Sequence, residues 1–178
     1  MVSRRKVIAV SGSVLLGSAL AGCLSDSDTI SADLLQIKAI TVEWRHENRS
    51  YSNQILQLHS DGESEVTGQV ATEYHHIVSS PTEVTVSDEI QETLESEFED
   101  VRYVIGVCGD EFNSDDDYGC RNAPTPREDF NSVQFGDQPN VEIRNNLIDV
   151  QDVKTGEIED WNTDISEFEW SERHAEHG

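Results

Sequence analysis

Beyond residue 22 the chain carries 24 isoleucines and valines against only 7 leucines. Branching at Cβ restricts χ1, crowds a helix and suits a pleated strand, so this bias points to a domain built mainly from strands. The local alternation agrees. Ile40, Val42 and Trp44 fall on one face of an extended segment, with Thr41, Glu43 and Arg45 opposite. Leu56 and Leu58 mark a second strand. Residues 65–79 read as a long third strand, with Val66, Val70, Tyr74, His76 and Val78 on one side and Thr67, Gln69, Glu73 and His75 on the other. Residues 101–107, VRYVIGV, are apolar at nearly every position and read as a central strand. Further strands are expected near 130–135, 140–144, 147–154 and 157–161, the last two as a hairpin turning at Thr155-Gly156.

Residues 87–100 break this pattern. Ile90, Leu94, Phe98 and Val101 recur at helical spacing, Ser87 is a candidate N-cap, and Asp88 and Glu89 suit the positive end of a helix dipole. The expected fold is therefore α+β, a mainly antiparallel sheet with one amphipathic helix over about 87–100 on one face. A β-sandwich with an inserted helix is the alternative. The 156 residues after position 22 suffice for one core. The expected domain spans 34–170, followed by a frayed tail over 171–178.

Charge limits what such a domain can bind. From Cys23 onward, 36 acidic residues face 9 basic ones, a net charge of −27, and only Lys38 and Lys154 are lysines. That charge strains a compact state by self-repulsion, which salt near 1 M screens within roughly 3 Å. Leu, Ile, Val and Phe make up about 23% of this region, just above the range typical of disordered chains, and the acids are interleaved with patterned apolar residues. The expectation is a folded acidic domain. Nucleic acid is excluded as a partner because contacts to phosphates require clustered Lys and Arg. Many carboxylates, few lysines and modest apolar content resemble the proteins of halophilic archaea.

The N-terminus has the opposite character. Arg4, Arg5 and Lys6 precede residues 7–22, which contain no charged side chain or histidine. Sixteen helical residues reach about 24 Å, short of the roughly 30 Å hydrocarbon core. A basic start, an apolar middle and small residues before a break form an export signal. Arg4-Arg5 with the following Lys-Val-Ile resembles the twin-arginine export motif. Leu20-Ala21-Gly22-Cys23 resembles the lipobox of lipoprotein precursors, in which the cysteine is lipidated. The resemblance implies an export signal over 1–22, a lipidated Cys23 with a polar tether over 23–33, and anchoring by lipid to the outer face of the cytoplasmic membrane.

Cys108 and Cys120 are the cysteines left if Cys23 carries lipid, and outside the reducing cytoplasm a disulfide between them is expected. Two free thiols are the other reading. Between them lie five acids. Asn113, Asp115 and Asp117 match the first, third and fifth places of a helix-loop-helix calcium loop. Tyr118 then stands where that loop needs Gly and Pro124 where it needs Glu, so a solvated acidic loop is expected and Ca2+ is the alternative cofactor. No other cofactor is implied. His75 and His76, adjacent on a strand, would point to opposite faces, with His76 partly buried. Asn48-Arg49-Ser50 fits the N-glycosylation acceptor pattern.

No nucleophile elbow, phosphate loop or catalytic cysteine is present. The function expected is a non-catalytic, lipid-anchored extracytoplasmic binding or interaction module, its partner a protein or a small molecule. The alternatives are a small hydrolase, whose acids converge with His59, His75 or His76 only in three dimensions, and a cation-binding module using the 108–120 loop.

Overall fold

The computed structural model describes residues 29–112, 118–156 and 161–176. Along the chain it places β1 (Ile30–Ser31), β2 (Leu34–His46), β3 (Arg49–Ser60), β4 (Glu65–Ala71), a 3-10 helix (Thr72–Ile77), β5 (Val78–Ser80), β6 (Glu83–Val84), α1 (Asp88–Glu97) and β7 (Asp100–Gly109). A short 3-10 turn (Asp110–Phe112) leads towards β8 (Gly119–Thr125). Then follow α2 (Arg127–Ser132), β9 (Gln138–Arg144), β10 (Leu147–Lys154), β11 (Asn162–Phe168) and α3 (Trp170–Arg173). Six strands form one sheet in the order β11-β4-β3-β2-β7-β8, antiparallel throughout except for the parallel β11–β4 pair. A smaller sheet, β1-β9-β10, and the β5–β6 ribbon complete the α+β fold.

The alternation read along β2 holds: Ile40 and Val42 are fully buried, and Trp44 continues the same face at its edge. β3 departs from strict alternation because its pairing with β2 slips between Ile40 and Thr41, which leaves Ile55 as an extra residue. Such a bulge turns neighbouring side chains to the same side, and Ile55 and Leu56 are both fully buried. Glu47 and Asn48 join β2 to β3, and Asn145 and Asn146 join β9 to β10, all four with positive φ. Two left-handed residues in succession match the right-handed strand twist across a two-residue hairpin, and asparagine tolerates that conformation.

α1 forms where its apolar spacing and cap predict. The Ser87 side chain accepts a hydrogen bond from the Ile90 amide at 3.3 Å, and Leu94 is buried against the core. The helix ends at Phe98, and the Glu99 amide donates to the Glu43 carbonyl at 2.8 Å, so the chain passes straight into β7. β7 lies between β2 and β8, an interior position that explains its nearly unbroken apolar run.

Three expectations fail. The strand expected over 65–79 ends at Ala71, because Tyr74 and Ile77, three residues apart, are both buried by a 3-10 helix, a spacing that eclipses them on one face. His75 and His76 are consequently exposed on that helix, not in a strand. The strand expected near 130–135 gives way at 130–132 to the helix over 127–132: Pro126 precedes it, Glu128 and Asp129 occupy its first turn, and Phe130 is its buried residue. β10 pairs with β9 through the Asn145-Asn146 turn; residues 157–160 of the strand expected beyond Thr155-Gly156 lie outside the described residues, and Gly156 packs so close to Gly136 that a Cβ would clash with its carbonyl oxygen. Finally, the expected tail begins with a helical turn, α3, and His174 just beyond it is buried.

Candidate functional site

Lys38 lies on the same face of β2 as Ile40 and Val42 and is fully buried. Its Nζ donates to the carbonyls of Val84, Phe130 and Val133 at 2.8, 2.6 and 2.7 Å, and approaches Gln134 Oε1 at 3.3 Å. It also sits 4.3 Å from the centre of the Phe130 ring. Burial pushes its pKa well below the ordinary lysine value, and the Asp137 carboxylate partly opposes that shift. A lysine with a lowered pKa is a candidate nucleophile. Here, however, three carbonyls match the three N–H bonds of an ammonium, and some are the otherwise unpaired carbonyls at the end of α2. Lys38 is a structural cation that fastens β6 and the end of α2 to the main sheet.

Two adjoining clefts lie at the opposite end of that β2 face. The larger, about 520 Å3, is walled by Trp44 from β2, Phe98 after α1, and Trp170 and His174 from the C-terminal turn. Glu97, Glu99 and Arg45 form its polar rim. α3 is held in place by side chains distant in sequence: Arg173 donates to Gln69 Oε1 at 2.7 Å, and the Trp170 amide donates to Glu73 Oε2 at 3.3 Å. Asn53 Nδ2 lies 3.2 Å from His174 Nε2. Trp170 meets Trp44, Phe98 and His174 at centroid separations of 5.3, 5.5 and 4.2 Å. Behind them Tyr51 stacks on Trp44.

The second cleft, about 430 Å3, shares Glu97 with the first and gathers Tyr74, His76, Glu73, Glu89, Ser87 and Thr93. The Tyr74 hydroxyl donates to Glu97 Oε2. Burial, reinforced by that carboxylate, raises the Tyr74 pKa and keeps it a donor. This cleft brings a histidine and acids together, as a hydrolase would require. Yet His76 makes no hydrogen bond to Ser87 or to these carboxylates, and the Ser87 oxygen is already the cap of α1. No nucleophile–base pair is assembled there.

A third depression, about 380 Å3, lies between α1, β7 and the start of α2. Tyr103 and Thr125, directly opposed on β7 and β8, line it, and among the described residues their buried hydroxyls and Arg127 Nε have no hydrogen-bond partner. Burial raises the Tyr103 pKa to about 12. Arg127 is otherwise committed, to the Asp88 carboxylate at 2.6 Å and the Val86 carbonyl at 3.2 Å.

Of the residues singled out in the sequence, Cys108 and Cys120 are bonded, with Cα atoms 4.1 Å apart as a directly opposed pair on β7 and β8. Asn48 lies exposed at the tip of the β2–β3 hairpin, open to modification. His59 is exposed on β3, apart from the exposed pair His75 and His76, whose rings meet edge to face at 5.8 Å. Arg4, Arg5 and Cys23 lie outside the described residues, as do Asn113, Asp115 and Asp117. Among the described residues, no group of three or more His, Cys, Asp or Glu side chains is arranged to hold a metal ion. No described helix is long and apolar enough to cross a membrane.

Comparison with protein-family models, curated proteins and solved structures finds no match for this chain. Sequence reasoning placed Trp44 on the core face but passed over the aromatic cleft. Its signal was only the recurrence of tryptophan at 170 beside the histidine at 174, in a segment that otherwise reads as a polar tail.

Proposed function

We propose that this protein is a lipid-anchored, extracytoplasmic binding module that takes its ligand in the aromatic cleft at the end of β2. The observation that carries the reading is the cleft itself: ring walls from Trp44, Phe98, Trp170 and His174 around about 520 Å3, with charged groups confined to the rim. Concave, mostly apolar surfaces with a few placed polar groups are the usual form of a small-molecule site. The address rests on the resemblance of residues 3–23 to a twin-arginine signal ending in a lipobox.

Two measurements test the two halves separately. Fractionation of cells should find the wild-type protein in the membrane, and Cys23→Ser should release it; membrane retention of that variant overturns the lipid anchor. For binding, amide chemical shifts of the protein are followed against a panel of anionic, neutral and cationic small organic molecules. Saturable shifts clustered at Trp44, Phe98 and Trp170 are expected, and a panel that moves none of them overturns the cleft as the binding surface.

A further inference from the structure

We infer that Asn48 is a glycan attachment site, at which this chain serves as the acceptor substrate of a glycosyl transfer. The assignment rests on the extracytoplasmic reading of the address and adds a covalent modification to it. Asn48 and Ser50 supply the amide and the hydroxyl of the acceptor pattern. Glu47 and Asn48 form the turn between the opposed residues His46 and Arg49, and Ser50 faces Arg45 on the next rung. Pairing of β2 with β7 ends at Glu43, and pairing of β3 with β4 begins at Leu56. The β2–β3 hairpin therefore runs past both neighbours in the sheet as a two-stranded ribbon. Residues 47–50 at its tip are all exposed. A transferase can reach the amide and the hydroxyl on the folded domain without unpairing a strand of the sheet core.

The second hairpin supplies the contrast. Asn146 holds the same turn position between β9 and β10, with a φ of 64° against 62° at Asn48. Its side-chain oxygen accepts a hydrogen bond from Arg121 at 2.5 Å, and Ile148, two residues on, has no hydroxyl. The left-handed turn alone accounts for an asparagine at 146. It also favours one at 48, but it makes no demand on residue 50. Among the described residues, none hydrogen-bonds the Asn48 side chain, so its amide is left for an outside partner.

An amide nitrogen is a weak nucleophile, because its lone pair is shared with the carbonyl. The transfer therefore takes a sugar activated at its anomeric carbon as a phosphate ester, and a basic group on the transferase. Asn48 Nδ2 bonds to that carbon. The bond from the carbon to the phosphate oxygen breaks, its electron pair leaves with the phosphate, and one Nδ2 proton passes to the base.

The test isolates the full chain from the cells that make it and determines, by fragmentation mass spectrometry, the mass carried at residue 48. Asn48 should bear an increment of whole sugar residues. Ser50→Thr, which keeps the hydroxyl, should retain it, and Ser50→Ala should lose nearly all of it with Asn48 still in place. Asn48→Gly keeps the positive φ without steric cost, and should lose the increment with an unchanged circular dichroism spectrum. An unmodified Asn48 on chain recovered from the membrane fraction would overturn the site and leave the address standing. An increment that survives Ser50→Ala undiminished would overturn the acceptor assignment. Protein recovered from the cytosol alone would overturn the address and this assignment with it.

Discussion

The ammonium of Lys38 lies 2.6 Å from the carbonyl oxygen of Phe130, 92 residues further along the chain. With the carbonyls of Val84 and Val133 it joins β2, β6 and the end of α2 through one buried side chain. Replacing it with an apolar residue would take this donor away from all three buried carbonyls. Lys38→Met should therefore destabilise the fold by about 1–3 kcal/mol, the usual cost of leaving buried acceptors without their donor. Urea denaturation checks this, and a loss below about 1 kcal/mol would contradict the structural role.

The same group makes stability depend on pH. Its pKa is lowered in the folded state relative to 10.5, so between the lowered value and 10.5 the unfolded chain binds more protons than the folded one. Stability contributed at Lys38 must then rise with pH across that window. The measurable quantity is the stability difference between wild type and Lys38→Met, in which the titrations of other groups cancel. It should grow as pH rises towards 10.5, and a difference that shrinks would contradict the shift.

Tyr103 carries a buried hydroxyl without a hydrogen-bond partner among the described residues. Removing such a group relieves desolvation without breaking a hydrogen bond, so Tyr103→Phe should leave stability unchanged or raise it by about 1 kcal/mol. The folded state also holds this phenol proton to about 12, against 10 when unfolded, so its contribution is complete below pH 10 and lost above it. The phenylalanine variant should accordingly lose less stability than wild type above pH 10. A loss of more than about 1 kcal/mol at neutral pH would mean that the hydroxyl is paired.

The Cys108–Cys120 bridge closes a loop of sequence separation 12 between directly opposed strand residues. The oxidised protein should show no free thiol at either position under denaturing alkylation. Reduction should cost about 3 kcal/mol or less, the chain-entropy value for a loop of this size. Alkylation of both cysteines without prior reduction would contradict the bridge.

Net charge sets the last expectation. A surplus of 24 negative charges should make folding salt-dependent, cooperative at about 1 M salt and weakened on dilution, as screening is withdrawn. Circular dichroism melts across salt concentrations test it, and a Tm independent of salt would contradict the argument.

Local chemistry accounts for what was legible without coordinates. Val and Ile at alternate positions mark strands wherever one face is buried, as at Ile40 and Val42, and Ser87 followed by acids and by Ile90 and Leu94 marks the start of α1. Those signals act between neighbours, so they survive without knowledge of the fold. Tertiary packing decided the rest. Tyr74 and Ile77 became a 3-10 helix because both could be buried there, and residues 127–132 became helical where Phe130 fills the core and Lys38 donates to the carbonyls at its end. β11 joins β4 in parallel across 97 residues, and that placement brings Trp170 and His174 to Trp44. No short-range pattern encodes such a meeting, because Trp170 packs on rings at positions 44 and 98, far from it along the chain.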